Sequence, residues 1–186
     1  MTAPPAAAVL VEGPSDEAAL RVIARRLERS LDAEGVSVVV LDGITNISAA
    51  VATLTTRRPP PRLAGLYDAG EEHVVRRALH RSGYGELDRA GLAAAGFQVC
   101  DADLEDELIR SVGIEGVLAV VEAEGEGRAW RTMRRQPAQV GRPLAAQLRR
   151  FMGTRSMRKI RYGRLLAEAV ELDRIPPPLV RVLQSV

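Results

Sequence analysis

Near the N-terminus, a short apolar run ends in a carboxylate and leads through a turn into an amphipathic helix. The run is Ala8 to Val11, Glu12 follows it, and Gly13-Pro14 turn the chain. Apolar side chains at helical spacing then predict a helix over Asp16 to Leu31. A proline suits the first turn of a helix, whose amide hydrogens have no partner to lose. This segment therefore predicts a strand, a turn and a helix in succession.

Three more short apolar runs follow, and helical patterns separate them. We expect strands at Val36 to Leu41, Leu63 to Tyr67 and Phe97 to Cys100, with a helix at about Asn46 to Thr56. Continuous apolar strands that alternate with helices indicate a parallel sheet covered on both faces. From about Leu104 onward the pattern is helical only. The sequence thus predicts an α/β domain with four parallel strands and a helical C-terminal part.

Acidic residues follow three of the predicted strands. Glu12 follows the first, Asp68 follows the third, and Asp101 to Glu107 follows the fourth. Because the carboxyl ends of parallel strands form one edge of a sheet, these carboxylates should converge. Like charges at close range repel unless a cation is present, and oxygen ligands with few histidines select Mg²⁺ or Mn²⁺.

Charge is divided unevenly along the chain. Residues 1 to 124 hold 12 Arg against 20 Asp and Glu, whereas residues 125 to 186 hold 14 Lys and Arg against 4 acids. This layout fits a protein that holds cations in one part and a polyanion such as nucleic acid in the other. Solvated helix faces in an arginine-rich composition are the alternative. Lys159 is the only lysine, which fits either a site that needs a compact ammonium group or chance.

Several classes of protein do not fit the sequence. No apolar stretch approaches the roughly 20 residues that cross a bilayer, and the first residues lack the features of a signal peptide. We therefore expect a cytoplasmic protein with no membrane partner. Cys100 is the only cysteine, which excludes an internal disulfide or a zinc ribbon.

The acidic motifs resemble those of a known family. Glu12-Gly13 with Asp16, and Asp68-x-Gly70 after a later strand, resemble the Toprim signature of topoisomerases, primases, recombination-mediator proteins and small ribonucleases. The closer resemblance is to the Toprim nuclease module of the overcoming-lysogenization-defect (OLD) family. It covers about residues 8 to 182 and includes the following further stretches: Gly43 to Asn46, Leu66 to Gly70, Asp103 to Leu108, Arg158 to Ala167 and Ile175-Pro176.

This resemblance implies a Toprim (Rossmann-like) fold and a metal-dependent site. Glu12, Asp16, Asp68 and Glu105 would bind two Mg²⁺ or Mn²⁺ ions, and Asp103 or Glu107 would help. Glu12 and Lys159 would be catalytic. Two features depart from the family: Gly70 replaces the last acid of Asp-x-Asp, so that Glu71, Glu72 or Asp103 would have to substitute, and no GxxxxGK[ST] loop is present. Any ATP dependence would then come from a separate ATPase subunit.

The predicted organisation is a disordered segment at residues 1–7, a Toprim core at 8–112 and a helical extension at 113–186. The extension carries the predicted nucleic-acid contacts: Arg149, Arg150, Arg155, Arg158, Arg161 and Arg164. Aromatic residues make up only 3% of the chain, which argues against base stacking and favours duplex DNA.

We predict a divalent-metal-dependent nuclease with low sequence specificity. The alternatives are a small Toprim ribonuclease, or a catalytically impaired module that binds DNA or a partner. Each candidate site residue also has a simpler structural interpretation. Glu12 and Asp16 could cap a helix, and Asp68 could be an ordinary turn residue. Glu105 and Lys159 could be solvated surface charges. The sequence leaves the oligomeric state open.

Overall fold

A computed structural model describes residues 5–154 and 156–186. Its four strands are β1 (Ala7–Val11), β2 (Val36–Val40), β3 (Arg62–Asp68) and β4 (Phe97–Cys100). The α-helices of these residues are α1 (Pro14–Arg26), α2 (Ile47–Thr55), α3 (Glu72–Leu79), α4 (Arg89–Ala94), α5 (Leu104–Val112), α6 (Ile114–Ala123), α7 (Gly127–Arg134), α8 (Leu144–Met152), α9 (Ser156–Ala169) and α10 (Pro177–Gln184).

The four strands form one parallel sheet in the order β2-β1-β3-β4. Leu10 lies opposite Val39 on one side and Gly65 on the other, and Asp68 lies opposite Cys100. The three strands that precede the acidic segments are therefore neighbours, and their carboxyl ends lie along the same edge. The predicted α/β architecture with a four-stranded parallel sheet and a helical C-terminal part is confirmed.

Strand β1 lies at the centre of the sheet and is buried on both faces. Val9 and Val11 point to a core that also includes side chains of α1 and α5 to α10. Ala8 and Leu10 point to a second core, formed with α2, α3 and α4. This alternation is the two-residue period of a strand. Because both faces are covered, the exposed carboxyl edge is the part of the strand open to chemistry.

Several predicted boundaries need correction. Helix α1 begins at Pro14 and ends at Arg26, five residues before the predicted Leu31, because Glu28 adopts a positive φ of 60° that a helix cannot continue through. Strand β1 begins at Ala7, within the segment predicted to be disordered, and the amide of Ala6 donates a hydrogen bond to Gly35. Residues 1–4 lie outside the described residues.

The division of the chain at residue 112 stays a prediction. Residues from both sides of it share the core on the α1 face of the sheet, for example Leu108 and Val117.

Candidate metal centre at the carboxyl edge of the sheet

Three carboxylates meet at the carboxyl edge of β1 and β3. Glu12 follows the last residue of β1, Asp68 is the last residue of β3, and Glu71 ends the short 3-10 turn Ala69–Glu71. Each side chain has a carboxylate oxygen within 4.8 Å of the other two, and all three residues are partly buried. The parallel pairing of β1 with β3 brings the first two together.

Among the residues that the structure describes, no basic side chain forms an ion pair with Glu12, Asp68 or Glu71. Burial, with repulsion from Glu12, Asp103 and other carboxylates, raises the pKa of Asp68 to about 8. Burial and the charge of Glu12 likewise raise the pKa of Glu71 to about 7. One oxygen of Glu71 is buried and has no hydrogen-bond partner within residues 5–154 and 156–186. An uncompensated set of oxygen ligands with an unpartnered buried oxygen fits a hard divalent cation.

Asp16 lies on the next turn of the chain and is held by the backbone. Its Oδ2 accepts a hydrogen bond of 2.8 Å from the amide of Gly13, which closes the turn between β1 and α1. Burial raises its pKa to about 6; the bond from Gly13 and the charge of Lys159 oppose this shift, whereas Glu105 and Glu12 add to it. Asp16 therefore lies in the same electrostatic field as both the cluster and the lysine.

The chain's only lysine reaches this edge of the sheet from α9. Lys159 Nζ lies 3.3 Å from Glu105 Oε1, and the Glu105 side chain is only 7% exposed. Burial raises the pKa of Glu105, with Lys159 opposing the shift. Burial alone would lower the pKa of Lys159, but the charges of Glu105, Asp16 and Asp103 raise it overall. Lys159 is thus held as an ammonium ion beside the carboxylates.

A glycine permits the approach of α9 to α1. A Cβ atom built on Gly163 would lie 2.9 Å from the carbonyl oxygen of Ser15, a distance at which one backbone would have to move. Lys159 is one helical turn before Gly163, and Asp16 directly follows Ser15. The contact that needs a glycine is therefore also the contact that sets the position of Lys159.

Asp103 lies beside the cluster, and both of its oxygens already have partners. Oδ1 accepts a 2.8 Å hydrogen bond from the amide of Asp106 and caps α5. Oδ2 accepts a 2.5 Å hydrogen bond from Arg149 Nε. Its charge nevertheless contributes to the raised pKa values of Asp68 and Glu105. This arrangement favours an indirect role, in which Asp103 shapes the field around the ligands.

The N-terminal part of the chain matches the model of a known protein family. Residues 6–58, which contain β1, Glu12 and Asp16, match the family model described as "Overcoming lysogenization defect protein-like, TOPRIM domain". This part of the chain is similar to an OLD-like TOPRIM domain. The predicted resemblance is confirmed.

Solved structures with the same fold include two C-terminal regions of OLD proteins. That of Burkholderia pseudomallei is 20% identical with a TM-score of 0.71, over 97% of this chain and 96% of that chain. That of Xanthomonas campestris pv. campestris is 23% identical with a TM-score of 0.71, over 98% of this chain and 92% of that chain. No curated protein sequence matches the chain.

The cluster contains one residue, Glu71, that the predicted set of metal ligands lacks. The sequence pointed to it indirectly, because Gly70 stands where the Asp-x-Asp pattern has its last acid. Glu71, Glu72 and Asp103 were the candidates to replace that acid. Glu72 is bound by Arg76 and Arg89, each at 2.6 Å. Of the three, Glu71 alone joins Glu12 and Asp68 within 4.8 Å. Glu107 accepts a bond from the amide of Asp101 and pairs with Arg110, so its contacts are structural.

Most of the arginines predicted to bind nucleic acid are paired with carboxylates. Arg149 binds Asp103, and Arg164 binds Glu168. Arg158 and Arg161 share Glu126, at 3.1 and 2.8 Å. Arg155 lies outside the described residues. Within residues 5–154 and 156–186, Arg150 is the one member of the predicted set with no ion pair.

None of the helices in the described part of the chain combines the length and hydropathy that a membrane span requires.

Proposed function

We propose that this protein is a Mg²⁺- or Mn²⁺-dependent endonuclease that hydrolyses phosphodiester bonds of nucleic acid, with DNA as the favoured substrate and little sequence preference. The single observation that carries the proposal is the juxtaposition of Glu12, Asp68 and Glu71 within 4.8 Å of one another. The OLD-like TOPRIM domain supports a nuclease-type module.

The proposed ligands are the carboxylates at the edge of the sheet. Glu12, Asp68 and Glu71 would form one group, and Asp16 and Glu105 would extend it toward Lys159. The absence of histidine and cysteine from this group favours Mg²⁺ or Mn²⁺ over zinc. When bound, a pair of such ions activates a water molecule and stabilises the leaving oxygen of a phosphodiester.

The protein's own groups would orient the substrate and offset its charge. The Lys159 ammonium, 3.3 Å from Glu105, would face a phosphate that approaches the edge. Negative charge that accumulates on this phosphate would be stabilised by a fixed ammonium in a partly buried site. The Gly13 amide holds Asp16 in place, so that the carboxylate needs little reorganisation.

Two observations support a duplex substrate. Trp130 is 3% exposed and Tyr162 is fully buried; both pack near Phe151 in edge-to-face contacts. These aromatic rings are therefore not offered to bases, and stacking is the usual mode of binding single strands. A separate ATPase subunit and a cytoplasmic location are further parts of the proposal that come from the sequence.

A plasmid-nicking assay tests the proposal. Supercoiled plasmid with Mn²⁺ should be nicked by the wild type, and Glu12→Gln, Asp68→Asn and Glu71→Gln should each reduce nicking to background. Lys159→Gln should lower the rate by about 10²-fold, because one fixed group that stabilises the transition state is lost. The matched control is Glu115→Gln, an exposed acid of α6, which should nick at the wild-type rate. Equal nicking by wild type and Glu12→Gln would remove the claim.

The alternatives are separated by two further measurements. Digestion of a structured RNA beside duplex DNA distinguishes a ribonuclease from a deoxyribonuclease. The impaired-module alternative is favoured by Gly70, and it predicts DNA binding with no rise in melting temperature on addition of Mg²⁺. A rise of melting temperature with Mg²⁺ that is lost in Asp68→Asn supports an intact metal centre.

A further inference from the structure

A second charged feature lies beside the carboxylate edge, on α8. A cavity of about 250 Å³ is lined by Arg142, Ala146, Arg149, Arg150 and Gly153. Three of the five lining residues are arginine, and none is acidic. The cavity exceeds the roughly 30 Å³ that one water occupies in the liquid, so it has room for a tetrahedral anion.

The cavity is shaped by the spacing of small and large residues on one helix face. Ala146, Arg149, Arg150 and Gly153 follow at intervals of three and four residues, which places them on the same side of α8. Ala146 and Gly153 have no long side chains, so they leave the floor open between the guanidinium groups. This arrangement presents planar donors to an anion, the geometry that suits phosphate oxygens.

The loop that carries Arg142 is fixed to the same helix by a buried amide. The Gln147 side chain, in a residue only 6% exposed, donates hydrogen bonds of 2.9 Å to the carbonyl oxygens of Gln139 and Arg142. Arg134 in turn donates to the Gln147 side chain at 3.2 Å. The backbone of Arg142 is therefore already held in position, which lowers the entropic cost of binding a ligand there.

Arg149 links the cavity to the carboxylate edge. Its guanidinium binds Asp103 at the start of α5, and Glu105 is two residues farther along the same helix. Arg142 and Arg150 are exposed and have no ion pair within the parts of the chain that the structure covers. The basic cavity and the acidic edge are thus neighbours, and two of the three arginines carry charge that no carboxylate offsets.

We propose that this cavity binds one backbone phosphate of duplex DNA next to the phosphodiester at the carboxylate edge. The inference rests on the proposed function. It assigns the DNA contact to the cavity that Arg142 lines, and not to all six arginines predicted from the sequence. Arg158, Arg161 and Arg164 are bound by Glu126 and Glu168 and contribute less. A backbone contact of this kind gives affinity without sequence readout.

The test is a binding titration in which cleavage plays no part. The probe is a fluorescein-labelled 20-base-pair duplex in EDTA, and fluorescence anisotropy is measured from 50 to 200 mM salt. The double variant Arg142→Gln/Arg150→Gln should bind on the order of tenfold more weakly. A plot of its log affinity against log salt concentration should fall less steeply, by about 0.9 in slope for each lost phosphate contact. Arg142→Lys/Arg150→Lys should recover most of the slope, because the charge is kept.

The matched control is Arg77→Gln/Arg174→Gln. Both arginines are exposed, neither lines the cavity, and the change in net charge is the same. The control should stay within twofold of wild type with an unchanged slope. The inference is overturned if control and cavity variants lose affinity equally, or if the cavity variant loses affinity only for a structured RNA.

Failure of the inference and failure of the proposed function give different results. If the wild type nicks plasmid but the cavity variant binds with the wild-type slope, the cavity has no phosphate role and the nuclease stands. If the wild type never nicks plasmid but the cavity variant shows a shallower dependence of DNA affinity on salt, the phosphate site is supported and the nuclease activity is not.

Discussion

Gly70 and Glu71 determine how many carboxylates face Glu12. The last acid of the Asp-x-Asp pattern is replaced by Gly70, and Glu71 supplies a carboxylate from the next position along the 3-10 turn. A Cβ atom at Gly70 would meet nothing within 4 Å, and the backbone there is outside the left-handed region. The position can therefore accept a side chain, and its glycine is not required by the fold.

Gly70→Asp should strengthen metal binding. A fourth carboxylate beside Glu12, Asp68 and Glu71 adds a negative ligand, and the charge of the ligand set tunes affinity for hard cations. We expect about tenfold tighter Mg²⁺ binding by calorimetry and a larger rise in melting temperature with Mg²⁺. Gly70→Asn has nearly the same volume without the charge and is the control. If the two variants respond to Mg²⁺ alike, the additional carboxylate does not reach the site.

The stability of the metal-free protein should fall as the pH rises. The pKa of Asp68 is about 8 in the folded chain against an ordinary value of 3.8, so the folded state holds the proton more tightly than the unfolded chain. The stabilising contribution is then fully present below about pH 4 and is lost as pH rises through about 8. In EDTA, Asp68→Asn should show a shallower fall in melting temperature between pH 5 and 9.

Asp173→Asn is the control for this pH dependence, because Asp173 is exposed and has no ion pair among the described residues. Its melting temperature should follow the wild-type curve. A pH dependence that is identical in wild type and Asp68→Asn would show that Asp68 does not carry a raised pKa.

At the scale of elements, the packing of α9 against α1 brings the two halves of the site together. Gly163 lies against the Ser15 carbonyl near the start of α1, and Arg26 at its end donates a 2.7 Å hydrogen bond to the Ala167 carbonyl. Helix α1 is thus held against α9 at both of its ends. Because Lys159 and Asp16 lie at the first of these contacts, helix packing sets the distance between ammonium and carboxylates.

Gly163→Ala should destabilise the protein and slow the reaction. Replacement of a helical glycine by alanine in open space stabilises a helix by about 1 kcal/mol. Here the new Cβ would lie 2.9 Å from a backbone oxygen, and overpacking of this kind costs about 1–3 kcal/mol. We expect a net loss of about 1 kcal/mol in the free energy of unfolding and nicking reduced by about tenfold or more, because a small displacement of a catalytic group is costly.

Two measurements separate displacement of Lys159 from general destabilisation. Reductive methylation with ¹³C labels Lys159 as the one lysine side chain, and its titration by NMR should shift toward an ordinary value in Gly163→Ala. Gly116→Ala in α6 also introduces a close contact, because its Cβ would lie 2.8 Å from Val112 Cγ1. That contact is with a side chain and not with the backbone of α1, so the titration of Lys159 should stay unchanged. An unaltered Lys159 signal and full activity in Gly163→Ala would contradict the assigned role.

At the scale of the whole molecule, the helical C-terminal part completes the core of the sheet. The α1 face of the sheet is covered by side chains from both sides of residue 112, among them Val117, Phe151, Tyr162 and Val182. Tyr162 and Phe151 are among the largest fully buried side chains. Removal of these residues would expose a large apolar surface, at a cost of about 25 cal/mol for each Å².

A fragment of residues 1–112 should therefore not fold cooperatively alone. We expect no sharp thermal transition by circular dichroism, and we expect one to appear when a separately expressed fragment of residues 113–186 is added. The full chain, measured in parallel, is the reference. If residues 1–112 melt cooperatively by themselves, the boundary predicted at residue 112 separates two independently stable units.

The sequence by itself determined the architecture and the carboxylates at the ends of β1 and β3. Both follow from local patterns: apolar runs form buried strands, and in a parallel sheet the residue after a strand must lie at the carboxyl edge. Glu12 and Asp68 could be predicted to meet for that reason. The rarity of lysine pointed to Lys159, although no local pattern could state what it contacts.

Only the tertiary structure decided the partners of the charged side chains. Arg149 binds Asp103, 46 positions away, and Arg158 binds Glu126, 32 positions away, so three residues predicted to contact metal or DNA also form ion pairs within the protein. Glu71 joins the cluster because of the path of a 3-10 turn, and Arg142 reaches the cavity on α8 because a buried glutamine holds its loop. Such contacts depend on how distant segments pack, and strand and helix periodicity contains no information about them.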